Sequence, residues 1–196
     1  EGFDWHHAKP GYCLLTRWLP NSESHLPKYP CTQVGVGAFV LNSKDEVLLV
    51  KERVSSVAAA QGQWKLPGGL ADPGEELTET AAREVKEETN VECTLSSVAC
   101  FRHSHRLAHG VDDIYFVLRM RATSETISFD PEEIGSAEWT SREKVEELYA
   151  QKLINESNKR AYDLCFDESR AITASKVPSV RGGHSLWYMV PPKPAL

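Results

Sequence analysis

The rhythm of apolar and polar positions changes several times along this chain, and each rhythm predicts an element. Gln33–Leu41 is rich in Val and Gly, and Glu46–Lys51 is apolar and β-branched. The polar Asn42, Ser43, Lys44 and Asp45 between them make the pair a predicted hairpin. Trp64-Lys65-Leu66-Pro67-Gly68-Gly69 reads as a short strand entering a tight turn, because adjacent glycines allow backbone shapes and close approaches that a Cβ blocks. From Glu76 to Thr89 there is neither Gly nor Pro, and the turn residues Asp72, Pro73 and Gly74 precede it, so a helix is predicted. At about 100° per residue, Thr78, Ala81, Ala82, Val85 and Thr89 form one stripe of that helix and Glu84, Glu87 and Glu88 the adjacent one. Leu95–Phe101 and Asp112–Met120 follow as strands, with a short one at Glu138-Trp139. Ser141 is placed to cap a helix through Gln151, and a further helix is expected from Asn155 to Arg170.

The flanks are less regular. Pro10, Pro20, Pro27 and Pro30 punctuate the opening residues around a short strand, Tyr12–Trp18, and a turn at Arg181-Gly182-Gly183 precedes a last strand, Ser185–Val190. The expected organisation is a lead-in over residues 1–30, one domain over 31–175, and a C-terminal extension over 176–196 with a short strand. Strands mixed with a few helices predict an α/β sandwich.

Composition narrows the function. With 196 residues, 41% of them hydrophobic and 26% charged, the chain has the balance of one soluble globular domain. A net charge of -6 argues against a nucleic acid polymer as partner, since duplex-binding surfaces cluster Lys and Arg. An acidic protein that handles phosphates needs a cation between its carboxylates and the substrate. Five cysteines, an odd number with no C-x-x-C pair, signal neither a disulfide framework nor a zinc site, which fits a reducing, cytoplasmic setting. No run of ~18 apolar residues predicts a membrane span. The chain begins at Glu1 rather than Met, which leaves room for a preceding targeting segment.

Candidate chemistry concentrates in Arg83-Glu84-Val85-Lys86-Glu87-Glu88, where spacings of three and four residues bring three carboxylates side by side on a helix. Any one acidic pair on a helix is most often a solvated face. Three on one face, beside an apolar stripe and after a Gly-Gly turn, suit a hard cation that takes oxygen ligands and removes their repulsion.

Gly69, then Glu75 after five residues, then Arg83-Glu84-Val85-Lys86-Glu87-Glu88-Thr89-Asn90-Val91 after seven more, resembles the Nudix box at all but one of its fixed positions. At background residue frequencies such a match arises by chance roughly once in 10⁵ chains of this length. The departure is Asn90, where the family usually has Gly; Asn tolerates a left-handed helix cap, so the turn is expected to survive. Gly2-Phe3, His6-His7-Ala8, Gln33–Gly37, Trp64–Pro67 and Phe101–His103 are similar to the Nudix subgroup that contains the animal antisense fibroblast growth factor protein and plant ADP-ribose/NADH pyrophosphatases. The resemblance implies an α/β/α sandwich with a mixed β-sheet between helices, and a homodimer is common among such proteins. It also implies Mg²⁺ (or Mn²⁺) held by Glu84, Glu87, Glu88 and the Gly68 carbonyl, with Arg83 orienting the carboxylates against an acidic partner and Glu75 in support. The implied reaction is hydrolysis of the diphosphate bond in a nucleoside diphosphate-linked small molecule such as ADP-ribose or NADH. The base is either a box glutamate or an acid on a later loop. Within Asp130-Pro131-Glu132-Glu133, Glu133 is the candidate for a further ligand or base.

Two rival readings are carried forward: a catalytically weak Nudix scaffold that only binds nucleotide, and an enzyme for capped RNA, which needs a basic groove that the composition does not advertise. Other signals weigh less. His103 and His105, two apart on a strand, share a side and imitate a metal pair, although hydrogen-bonded surface histidines are commoner; His6-His7 is read the same way. Trp64 suits base stacking or a core position, and Lys51, Arg53, Arg102 and Arg106 are candidate phosphate contacts.

Overall fold

A computed structural model describes residues 2–55, 60–106, 110–167, 171–178 and 184–189. By contacts the chain divides into two compact units, Glu1–Thr32 and Gln33–Leu196.

The first unit contains an antiparallel hairpin of β1 (Asp4–Lys9) and β2 (Tyr12–Thr16). The expected strand at Tyr12–Trp18 is therefore only the second arm of a pair. Its partner escaped notice because Asp4–Lys9 is polar and mostly exposed, so no apolar alternation marks it. His6 and His7 sit in a local hydrogen-bonded cluster, with His6 Nε2 3.0 Å from the Pro27 carbonyl and His7 Nε2 3.2 Å from the Tyr12 hydroxyl.

In the second unit, a five-stranded sheet is ordered β5-β6-β3-β4-β7: β5 (Cys93–Ser104), β6 (Asp112–Ala122), β3 (Thr32–Leu41), β4 (Val47–Glu52) and β7 (Ile134–Thr140). The β3/β4, β4/β7 and β5/β6 pairs are antiparallel. At one end of β3 and β6 Gln33 bonds Asp113, and at the other Arg121 bonds the Asn42 carbonyl. These two strands thus run in the same direction, and the sheet is mixed.

Alternation along β3 sends side chains to both faces. Val36, Ala38 and Val40 meet α1 (Leu77–Thr89) through Ala81 and Val85 in one core. Phe39 and Leu41 meet α2 (Arg142–Ala150) and α3 (Glu156–Phe166) through Val145, Leu148, Tyr162 and Cys165 in the other. The result is the expected α/β/α sandwich. Each fully buried Val or Leu contributes roughly 1.5–3 kcal/mol, so these two layers fix the plane from which the α1 glutamates project.

The helix boundaries have local causes. Ser141 and Asn155 cap α2 and α3 by accepting from Lys144 N and Asn158 N, while α1 starts with a capping box between Glu76 and Glu79. The buried positions of α1 are Thr80, Ala81, Val85 and Thr89. Thr78 and Ala82 of the expected stripe are only half-buried, while Thr80 turns inward and donates from its hydroxyl to the Glu75 carboxylate at 2.9 Å. Asn90 adopts the left-handed conformation (φ 59°) and its N–H bonds the Lys86 carbonyl, as a glycine there would.

Residues 64–69 form no strand; the segment is tied by isolated bridges of Lys65 with Val50 and of the following Leu70 with Gly35. Pro67 removes a donor and Gly68 turns the chain, so no ladder propagates. β8 (Thr173–Pro178) pairs antiparallel with β9 (His184–Met189), and β8 was not foreseen. The predicted turn at Arg181–Gly183, the last residues of the helix predicted to Arg170, and Val190 lie outside the described residues.

A buried arginine closes the end of α3. Arg119 donates to the Cys165 carbonyl at 2.8 Å, the Leu164 carbonyl at 2.6 Å, the Asp167 carbonyl and the Ser97 hydroxyl at 3.1 Å. A cation there satisfies carbonyls that the helix leaves without internal partners. Among the described residues no helix is long and apolar enough to cross a membrane.

Candidate active site

The Gly68-Gly69 turn is clamped onto β3: Ala38 N donates to the Pro67 carbonyl and Val36 N to the Gly69 carbonyl, each at 2.9 Å. Gly68 has φ 153°, and a Cβ there would lie 2.1 Å from the Val36 carbonyl oxygen, so the approach needs glycine. Among the described residues no hydrogen bond is made to the Gly68 carbonyl, which keeps it eligible as a backbone ligand.

Against this turn stand two α1 carboxylates. Gly68 N donates to Glu88 Oε2 at 3.2 Å, and Glu84 lies directly over Gly69. Their side chains are 13% and 15% exposed, whereas Glu87 is 59% exposed. The three glutamates that share one face by sequence spacing are thus unequal. Two line the site and the third reaches back to Arg83 at 3.1 Å.

Arg83 organises the cluster as a fork. Its Nε and Nη2 donate to the two Glu75 oxygens at 2.9 and 3.0 Å, its Nη1 to Glu84 at 2.9 Å, and Nη2 also to the Leu70 carbonyl at 3.2 Å. The acidic partner expected for Arg83 is therefore Glu75. The Arg83 hydrogen bonds hold the Glu75 carboxyl down at about 2, and the same bonds raise the guanidinium. Burial acts the other way on Glu88, pushing its pKa up to about 7 despite the opposing field of Lys65 and the Gly68 N–H.

Lys65 and Glu52 complete the cluster, and sequence reasoning missed both. Lys65 Nζ lies 2.5 Å from Glu52 and 3.7 Å from Glu88. The hairpin β3–β4 and the bridge Val50–Lys65 join residues that share no periodic pattern; the available signal was the placement of Lys65 beside the glycine turn. Among the described residues, the ion pairs of Glu52, Glu75, Glu84, Glu87 and Glu88 are made with Lys65 and Arg83 alone. This excess of negative charge, with one carboxylate forced towards its neutral form, fits a divalent cation with oxygen ligands.

Glu133 lies with Glu52, Glu88, Glu132 and Ile134 around a cavity of about 350 Å³, which brings it to the glutamate cluster from the far side of the chain. A larger cavity of about 540 Å³ shares Glu52 and includes Lys65, Gly68, Arg102 and Tyr115 in its wall. Tyr115 covers Gly35 and Gly37 of β3, where a Cβ on Gly37 would lie 2.3 Å from its hydroxyl; Arg102 stacks over its ring at 5.0 Å. Burial pushes the Tyr115 hydroxyl pKa well up, so it is a neutral donor.

Of the other candidate phosphate contacts, only Arg102 reaches this cavity. Lys51 sits over the Trp64 ring at 4.6 Å, Arg53 pairs with Glu132 at 3.0 Å, and Arg106 lies at a strand end. Trp64 itself is buried in the core with Phe39 and Leu49 and takes no base-stacking position.

A glycine turn clasped between β3 and an acidic helix in a mixed, helix-flanked sheet is the arrangement expected of a Nudix domain. Residues 32–165 match the NUDIX domain family, and the chain belongs to it. It is 42% identical over 168 residues to Nudix hydrolase 8 of Arabidopsis thaliana, covering 84% of this chain and 44% of that protein. It is likewise 42% identical over 147 residues to nucleoside diphosphate-linked moiety X motif 6 of Mus musculus, covering 74% of this chain and 46% of the relative. The chain thus spans less than half the length of either. A solved structure with the same fold is a bifunctional NMN adenylyltransferase/ADP ribose pyrophosphatase from Francisella tularensis, complexed with AMP and Mn. It matches with a TM-score of 0.51 at 19% identity, over 71% of this chain and 42% of that one.

Proposed function

We propose that this chain hydrolyses the diphosphate bond of a nucleoside diphosphate-linked small molecule, ADP-ribose or NADH in type, in a reaction dependent on Mg²⁺ or Mn²⁺. The observation that carries this reading is the pair of mostly buried carboxylates, Glu84 and Glu88, packed on the Gly68-Gly69 turn with too few cations around them. Glu84, Glu87, Glu88 and the Gly68 carbonyl would hold the ion. When bound, the ion neutralises phosphoryl oxygens and acidifies water.

The chain's own residues supply the rest. Arg83, anchored on Glu75, bonds Glu84 at 2.9 Å and the exposed Glu87 at 3.1 Å. A carboxylate takes up the proton: Glu88, packed on Gly68, or Glu133, across the cavity, which is otherwise a further ligand contact. Lys65 and Arg102 offer charge to the two linked phosphates, and the exposed Phe101 on the cavity rim offers a face to a base. The family, the name of the mouse relative and the ADP ribose pyrophosphatase activity named for the bifunctional Francisella protein support a nucleoside diphosphate substrate.

The test is a panel of nucleoside diphosphate derivatives incubated with Mg²⁺ or Mn²⁺ in ¹⁸O-water, with product masses read. AMP and a phosphorylated partner are expected, with the label on a phosphate. Label on a ribose carbon, or full turnover in chelator, would overturn the mechanism. Binding without product at any metal concentration would establish the non-catalytic scaffold instead.

A further inference from the structure

At the far end of the β5–β6 hairpin, His103 on β5, His105 just beyond it and Asp112 at the start of β6 bring one donor atom each to within 4.8 Å of one another. The antiparallel register that pairs His103 with Ile114 places all three side chains on the face opposite Arg102 and Tyr115. Both imidazoles converge on one carboxylate oxygen: His105 Nδ1 is 2.9 Å and His103 Nε2 3.7 Å from Asp112 Oδ2, and the rings stand edge to face at 4.3 Å. The other oxygen, Oδ1, is held by the Arg106 N–H at 3.3 Å, so the carboxylate is oriented before any ligand arrives.

We infer that His103, His105 and Asp112 form a second divalent-cation site, separate from the glutamate cluster and selective for a borderline ion of the Zn²⁺ type. Donors about 2.1 Å from a tetrahedral ion stand about 3.4 Å apart, within the span these atoms already occupy; rotation of two exposed imidazoles closes the difference. Two nitrogens and one carboxylate favour Zn²⁺, Co²⁺ or Ni²⁺ over Mg²⁺, which prefers an all-oxygen shell. The backbone N–H that fixes Asp112 Oδ1 is the supporting contact by which metal carboxylates are kept in place. Three protein donors leave a fourth position for solvent or an incoming ligand atom. The bound ion would staple the last residues of edge strand β5 to β6.

The experiment is equilibrium titration of the whole chain with Zn²⁺, and with Co²⁺ as a visible probe, in excess Mg²⁺. Wild type should bind one equivalent, with Co²⁺ ligand-field bands and no thiolate charge-transfer band. Glu88→Gln should retain it, whereas His105→Ala and the double variant His103→Ala/His105→Ala should lose at least ~10²-fold in affinity with unchanged circular dichroism. Asp112→Asn should weaken binding less. Absence of binding by wild type, an isotherm unaltered in the histidine double variant, or loss of Zn²⁺ on Glu88→Gln alone would overturn the assignment. None of these readouts depends on the proposed hydrolysis.

Discussion

Glu84 occupies the space that a side chain on Gly69 would need: a Cβ at Gly69 would lie 2.5 Å from Glu84 Oε1 and 2.7 Å from its carboxyl carbon. The obstructing atoms are the end of a flexible side chain, so Gly69→Ala is expected to fold with a stability loss below about 1 kcal/mol. It should nonetheless displace Glu84 and lower kcat/KM at least ~10-fold, with a higher Mg²⁺ requirement. Gly68→Ala instead strikes the Val36 carbonyl, which cannot give way, and should cost more than about 2 kcal/mol in urea unfolding. Equal stability for the two variants would remove the distinction.

Glu88→Gln keeps the shape of the side chain and its hydrogen bond from Gly68 N while removing the charge. A drop in kcat of at least ~10²-fold is expected at saturating substrate and metal, with the fold retained. A loss under tenfold would move the chemistry away from this residue.

The raised pKa of Glu88 sets two opposite responses to pH. Function needs the carboxylate, so kcat/KM at low Mg²⁺ should fall on the acid side with a limb near pH 7, and more Mg²⁺ should push that limb lower because the ion competes with the proton. Stability runs the other way in metal-free protein. A folded pKa of about 7 above an ordinary 4.5 means that the stabilising contribution is fully present below pH 4.5 and lost as pH rises through 7. Thermal melts from about pH 5 to 8 should show this decline in wild type and less of it in Glu88→Gln.

Glu75 supplies the mirror case. Its carboxyl is held down at about 2, so its contribution is present above pH 4.5 and disappears as pH falls towards 2. Glu75→Gln should flatten acid denaturation over that window. Arg83→Lys keeps the charge but loses the fork that bonds Glu75 and Glu84 together, and kcat/KM should fall at least ~10-fold. Wild-type kinetics in the Arg83→Lys variant would show that charge alone suffices.

Much of the fold was legible because it is written in local periodicity. The Val-rich β3, the breaker-free α1, the cap Ser141 and the helix start at Asn155 each signal themselves over a few residues, and the spacing of Glu84, Glu87 and Glu88 follows from the helical repeat. Asp4–Lys9 and Thr173–Pro178 escaped because short, polar or irregular strands form only when a partner strand is present to pair with them.

The sequence by itself determined which residues ride together on α1 and that a glycine turn precedes them. Tertiary structure alone decided how those glutamates differ. Glu88 is buried against Gly68, Glu84 fills the space above Gly69, and Glu87 stays in solvent, because the sheet and the turn cover only part of the helix face. It also decided that Lys65 meets Glu52, that Arg119 closes α3, and that Asp112 faces His105. The first two contacts join segments whose approach is set by strand order and packing of the two cores, and the third rests on the pairing of β5 with β6; neither leaves a periodic trace in the residues brought together.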